Sequence, residues 1–202
     1  MKVLKFFPCL VLAFFLLTVV GCSKRGVQRI ATDSTTDISG RWNDTDSRLV
    51  SQEMIATCLS APWNARHVDR AGKRPIIIVG VLRNKTAEHI AMSTFIGDIE
   101  RSFINSAQVT VVATAEEREQ IREERTDQQT YSSEETAKNW GREQGADYML
   151  GGIISSITDQ EGGKRVVFYQ IDLTLINLQD NSKVWLGQKK IKKYIGKGKL
   201  SL

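Results

Sequence analysis

The sequence predicts an α/β domain made of one mixed β-sheet flanked by helices. Three observations predict it. Ile76-Ile77-Ile78-Val79-Gly80-Val81-Leu82 is an unbroken apolar run behind Pro75, the pattern of a strand buried on both faces. After it, Met92, Phe95, Ile96, Ile99, Phe103 and Ile104 recur at three- and four-residue steps, with Asp98, Glu100 and Arg101 between them, which makes one apolar helix face. Near the C-terminus Val167, Tyr169, Ile171, Leu173 and Leu175 alternate with Gln170, Asp172 and Thr174, the period of a half-buried strand.

Each element follows in chain order. Residues 23–42 are rich in Ser, Thr, Asp and Arg without apolar period and read as a tether. Asp46 is placed to cap a helix that carries Val50, Met54, Ile55, Cys58 and Leu59 on one side and is ended by Pro62. Asn84-Lys85-Thr86 supplies the turn out of the first strand, and residues 109–112 form a short strand parallel to it through the helical crossover. Residues 115–125 read as a charged helix with little apolar surface beyond Ile121, and residues 128–131 as loop. Ser132-Ser133-Glu134-Glu135 has capping-box spacing and opens a helix with Ala137 and Trp140 inward, stopped by Gly145. Residues 148–157, 166–178 and 183–194 read as three strands of a meander, joined by turns at residues 159–163 and 179–182.

The front of the chain is an export signal. Lys2 and Lys5 give a positive start, and residues 6–20 are an apolar run ending at Gly21, about 15 residues and short for a permanent span. Val19-Val20-Gly21-Cys22 resembles the bacterial lipobox, in which the cysteine is acylated and the leader cut before it; the alternative is an anchor that is never cleaved. Ser23, being other than Asp, implies sorting to the outer membrane. Acyl chains contribute about 0.8 kcal/mol per buried CH₂, enough to make release negligible. The domain organisation expected is therefore a signal peptide over 1–21, the lipidated Cys22 with its tether over 22–42, and a folded domain over 43–202. Cys9 leaves with the leader and Cys22 is blocked, so Cys58 has no internal disulfide partner; it reads as a small core residue, with pairing between molecules as the alternative.

Composition excludes more than it selects. The net charge of +5 is a terminal feature, because residues 181–202 hold seven lysines and no acid. Nucleic acid is not an expected partner: the export signal argues against it, and only Tyr194 interleaves these lysines. Lysines 189, 190, 192, 193, 197 and 199 either protect an open sheet edge or meet an acidic partner. His67 and His89 read as solvated surface residues and, with one cysteine in the folded part, assemble no zinc site. Gly162-Gly163-Lys164 lacks the remaining residues of a phosphate loop and reads as a hairpin turn, and there is no Gly-x-Ser-x-Gly elbow. The expectation is a protein that is not an enzyme and uses no cofactor or metal. Asn43-Asp44-Thr45 and Asn84-Lys85-Thr86 match the glycosylation sequon but read as turn chemistry. Among exposed positions the candidate partner contacts are Asn84 and Lys85 in the first turn and Gly162, Gly163 and Lys164 in the hairpin, since loops on a rigid sheet commonly carry contacts.

Several stretches, in this order and spacing, resemble the lipoprotein activators of penicillin-binding proteins, the LpoB type. They are Trp42-Asn43-Asp44-Thr45-Asp46-Ser47-Arg48-Leu49-Val50, Val79-Gly80-Val81-Leu82-Arg83-Asn84-Lys85-Thr86, Gly145-Ala146-Asp147-Tyr148-Met149-Leu150-Gly151-Gly152, and the late Trp185. The resemblance covers roughly residues 42–193. It implies a fold similar to the N-terminal domain of TolB, and a monomer facing the periplasm from the outer membrane. It also implies a partner, a bifunctional penicillin-binding protein whose peptidoglycan synthesis the chain would stimulate. The tether departs from the family pattern. It has about 20 residues and no proline, reaching about 70 Å at full stretch and about 25 Å as a coil. The alternative is a structural lipoprotein of an outer-membrane secretion complex of the curli-secretion kind, which would need membrane hairpins of about 9–11 alternating residues per strand.

Overall fold

The computed structural model of the protein describes residues 26–132 and 143–196. The leader, Cys22, Ala137, Trp140, Lys197 and Lys199 lie outside the described residues, as does most of the helix expected after Ser132. The chain divides into two compact units, 1–34 and 35–202. In the first, the Ser34 N–H and hydroxyl close a turn on the Ala31 carbonyl at 3.1 and 2.6 Å. The second holds the described helices and strands.

Helix α1 is Asp44–Ser60 and starts two residues before the cap that the sequence suggested. Asn43 is the N-cap: its side chain accepts from the Asp46 N–H at 3.1 Å, while the Asp46 carboxylate accepts from the Asn43 N–H at 3.0 Å. Asp46 is therefore the third helical residue of a reciprocal capping box, with both orphan donors satisfied. Pro62 ends α1 but also opens a second helix that the sequence reading missed, α2 over Pro62–Ala71, because proline's fixed φ suits a first helical turn. Strand β1 is Ile76–Asn84, helix α3 Met92–Ser106, strand β2 Thr110–Val111 and helix α4 Ala115–Tyr131. The long meander is β3 Tyr148–Glu161, β4 Lys164–Asn177 and β5 Lys183–Ile195.

The five strands lie in the order β2-β1-β3-β4-β5, with β1 parallel to both neighbours and β3, β4 and β5 antiparallel in turn. The predicted mixed sheet with flanking helices is thus the observed architecture. Val50, Met54, Ile55, Cys58 and Leu59 of α1 and Phe95, Ile99 and Phe103 of α3 are all buried. They join Ile77, Val79, Leu150, Ile154, Val167, Tyr169, Ile171, Leu173 and Leu175 of the sheet in one core. The predicted alternation of β4 holds over its whole length.

Four expectations change. β1 is not buried on both faces: Ile77 and Val79 face the helices, but Val81 is 71% exposed. A bulge between Val79 and Leu82, where β1 sets three residues against two of β3, re-aims the strand. Residues 128–131 are helical rather than loop. The Thr114–Glu117 capping box starts α4, no Gly or Pro interrupts it, and the Gln128 amide donates to Glu124 at 2.7 Å one turn back. No residue of α4 is buried, and Ile104, expected in the core, is 58% exposed on α3. Finally, His67 is buried rather than solvated. Its Nδ1 lies 3.1 Å from the Tyr148 hydroxyl and its Nε2 3.7 Å from the Asp147 carboxylate, because α2 packs against the start of β3 through Trp63 and Tyr148. His89 is exposed, as expected.

Candidate interaction surface

The chemistry of the domain concentrates at the end of the sheet from which the β3–β4 hairpin projects. Gly162 and Gly163 make its two-residue turn with φ of 56° and 78°, a left-handed pair that glycine adopts without strain. The turn is tighter than the sequence suggested, since residues 159–161 already pair with Arg165 and its neighbours in the ladder and Glu161 stands opposite Lys164. Gly162, Gly163 and Lys164 are exposed at the tip. At the end of β1, the Asn84 Oδ1 accepts from the Thr86 N–H and hydroxyl at 2.9 and 2.8 Å, and its Nδ2 donates to the Glu88 carbonyl at 2.7 Å. Both sequon asparagines therefore have structural work in place, one as a helix cap and one in a turn. Asn84 is half-buried in that role, and Lys85 is exposed.

Glu88, which the sequence did not single out, joins the two candidate loops. Its carboxylate accepts from the Tyr169 hydroxyl at 2.7 Å, from Arg165 at 3.2 Å and from the Trp42 N–H at 3.1 Å. Burial, and then the Glu88 carboxylate, push the Tyr169 phenol above its ordinary range. Trp42 precedes the N-cap of α1 and its indole N–H donates to Ser47 at 2.8 Å, in the positions that a hydrophobic staple occupies. Its ring meets Phe95 and Tyr169 edge-on, with centroids 5.8 and 5.6 Å apart.

The stretch just before Trp42, assigned by sequence to the tether, lies across the inner face of β5 as a strap. Lys193 is its pin: Nζ donates to Asp37 and Asp46 at 2.6 Å each and to the Arg41 carbonyl at 3.2 Å, with the Lys193 side chain 10% exposed. Burial lowers the affinity of this amine for its proton, but the two carboxylates outweigh it and the pKa is raised. The Lys193 hydrogen bond holds the Asp37 carboxyl below the usual range; burial opposes it, and the Lys193 charge and the Asn43 amide add to the lowering. Gly40, at φ 67°, lets the strap pass so close to Ile195 that a Cβ there would sit 2.3 Å from its Cγ1.

The opposite face of the same strands has another character. Ile153, Ile157, Val166, Phe168, Ile176, Leu186 and Tyr194 alternate with the buried set and point away from the helices. Ile157, Leu186 and Tyr194 are 69, 67 and 66% exposed. Between them the Asp172 carboxylate accepts from the Gln170 and Gln188 amides at 2.7 and 2.9 Å. Lys190 and Lys192 rise from the same face, and neither has an ion-pair partner among the described residues. Among the described residues no group of three or more His, Cys, Asp or Glu is arranged to hold a metal ion, and no helix is long and apolar enough to cross a membrane. This end of the domain presents an exposed hairpin, a braced turn and a sheet face with exposed apolar residues.

A search of curated proteins gave no match. Solved structures with similar folds include the C-terminal domain of LpoB from Escherichia coli, at 15% identity over 73% of this chain and 99% of that one with a TM-score of 0.42. The same domain from Salmonella enterica matches at 16% identity, again over 73% and 99%, with a TM-score of 0.40. The lipoprotein GNA1162 from Neisseria meningitidis matches at 13% identity over 59% and 83%, with a TM-score of 0.35. At these identities and scores the family assignment rests elsewhere. The family model described as peptidoglycan-synthase activator LpoB matches residues 46–191, from the capping box of α1 almost to the pin in β5. Since that span takes in most of the chain, with β1 to β4 whole and most of β5, the chain belongs to the LpoB family of peptidoglycan-synthase activators.

Proposed function

We propose that the protein is an outer-membrane lipoprotein that binds a bifunctional penicillin-binding protein and stimulates its synthesis of peptidoglycan, without catalysing a reaction itself. The observation that carries this reading is the family match over residues 46–191. The lipobox at Val19-Val20-Gly21-Cys22 supports the anchor, with Cys22 as the acylated residue, Ser23 directing the chain to the outer membrane and the domain facing the periplasm. The mechanism is differential binding. A monomeric domain that holds the synthase in its active arrangement shifts that equilibrium by its difference in affinity for the two states, and tenfold activation needs only about 1.4 kcal/mol.

The strap shortens the reach. With residues 37–42 fastened to the domain, about 14 residues remain between Cys22 and Asp37, or about 50 Å at full extension. The partner's docking region must therefore extend toward the outer membrane or lie across a narrow periplasm. The test is glycan polymerisation by the synthase of the same cell, with and without the purified full-length chain. A rise in rate, with co-purification of the two proteins, is the expected result. An unchanged rate with no co-purification, or a stable ring of copies on size exclusion, would sink the reading and favour a secretion-complex role. Globomycin treatment that left precursor processing unchanged would remove the anchor.

A further inference from the structure

We infer that the outer face of β3, β4 and β5 is a docking surface for a protein partner whose complementary patch is apolar and edged with carboxylates. The identity of that partner as the synthase rests on the function proposed above. The argument begins with an asymmetry of charge within one strand. Lys189 and Lys193 point to the inner face and are neutralised there by Glu53, Asp37 and Asp46. Lys190 and Lys192 point to the outer face, where their neighbours across the ladder are Gln170 and Phe168, and the described residues give them no acid. Edge protection alone asks for charge at a strand edge, not for exposed apolar side chains at alternating positions beside it. Leu186 and Tyr194 flank these lysines at the same two-residue period and are exposed, as is Ile157 two strands away. Single exposed hydrophobic residues need no explanation, but an exposed set on one sheet face, interleaved with cations that have no ion-pair partner among the described residues, does.

The dimensions suit the centre of a small contact. Leu186 to Tyr194 covers about 27 Å along β5, and the two strand-to-strand steps from β3 to β5 about 10 Å, a footprint of roughly 270 Å², which is the core of an interface and not the whole of one. Its chemistry favours a protein over an anionic lipid surface. Asp172 sits between the apolar clusters with both its amide partners fixed, which repels a layer of phosphates and rewards donors at defined positions.

The experiment measures binding of the full-length chain to the purified synthase. The double variant Lys190→Glu/Lys192→Glu is compared with Lys85→Glu and Lys164→Glu, all at exposed positions. The double reversal is expected to weaken binding by about thirtyfold or more, and each loop reversal by less than about threefold, with unchanged thermal melts throughout. Equal binding by the double variant, or loss confined to the loop variants, overturns the surface while leaving the functional reading intact. So does flotation of the chain with phosphatidylglycerol vesicles, or self-association, that the double reversal abolishes while synthase binding persists. If the unaltered chain binds no synthase, the functional reading fails. The surface is then judged by a photo-crosslinker at position 194 in whole cells. An adduct with an identified protein whose contacting patch is acidic supports it, and adducts with lipid or with a second copy alone overturn it.

Discussion

The two faces of β5 carry the same kinds of residue and use them in opposite ways. On the inner face Lys189 and Lys193 meet acids of α1 and the strap, and on the outer face Lys190 and Lys192 meet solvent. Tyr169 on the inner face of β4 is buried under Trp42 and bonded to Glu88, whereas Tyr194 on the outer face of β5 is 66% exposed. Composition does not distinguish these residues; the pleat does, because a one-residue step moves a side chain from one face to the other. The inner face is fastened by the strap and by helices α1 and α3, and among the described residues no helix packs on the outer face.

The severest way to break that contrast is to remove the residue that seals the inner face. Trp42→Ala deletes two edge-on aromatic contacts and the indole bond to Ser47. The expected loss is about 4 kcal/mol in urea unfolding, and a loss near zero would mean the strap is not part of the folded domain. Next comes a matched pair. Lys193→Met leaves Asp37 and Asp46 facing each other and should cost about 2–3 kcal/mol, toward the low end for a broken buried pair because Asp37 is 45% exposed. Lys192→Met, one residue earlier on the outer face, should stay within about 0.5 kcal/mol. Similar costs for the two would erase the distinction. Gly40→Ala is expected to cost about 1–2 kcal/mol, since it adds strain at positive φ and forces Ile195 aside.

Much of this was legible in the residues, and what was not has identifiable causes. The sheet was readable because Ile77, Val79 and the alternating residues of β4 obey a period that only a pleated strand imposes, and α3 because its apolar stripe repeats at helical steps. Helix α2 was missed since Pro62 reads equally as the end of one helix and the first turn of the next. His67 was misplaced because its chain neighbours Arg66, Asp69 and Arg70 are polar, and its burial depends on Tyr148, 81 residues away. The ion pairs of Lys193 join groups 156 and 147 residues apart, which no local pattern encodes. Likewise Glu88 looked like one more surface acid, and its three donors come from two distant segments, the strap at Trp42 and strand β4 at Arg165 and Tyr169. The candidate loops were found by turn chemistry. The outer sheet face has no local signature, because Ile157 on β3 and Leu186 and Tyr194 on β5 meet only through the register of the ladder.

Cys58 offers the finest probe of how well the inner face is sealed. Its thiol is fully buried on α1 among the core residues, and burial pushes its pKa up from 9.0 to about 12. In the unfolded chain the thiol ionises near its ordinary value, so between about pH 9 and 12 the folded state keeps a proton that the unfolded state has lost. The sign follows directly: the unfolded state binds fewer protons, and this group's contribution to stability falls as pH rises through that window. Below pH 9 both states hold the proton and Cys58→Ala should leave the pH profile unchanged. Above it, the wild-type profile should fall more steeply than the variant's, by up to about 1.4 kcal/mol per pH unit. With Cys9 and Cys22 replaced by serine, a thiol reagent at pH 8 should leave the folded protein unmodified for hours and label it fully in denaturant. Labelling within minutes under native conditions would mean that α1 lifts readily from the sheet, and that the inner face is as open to its surroundings as the outer one.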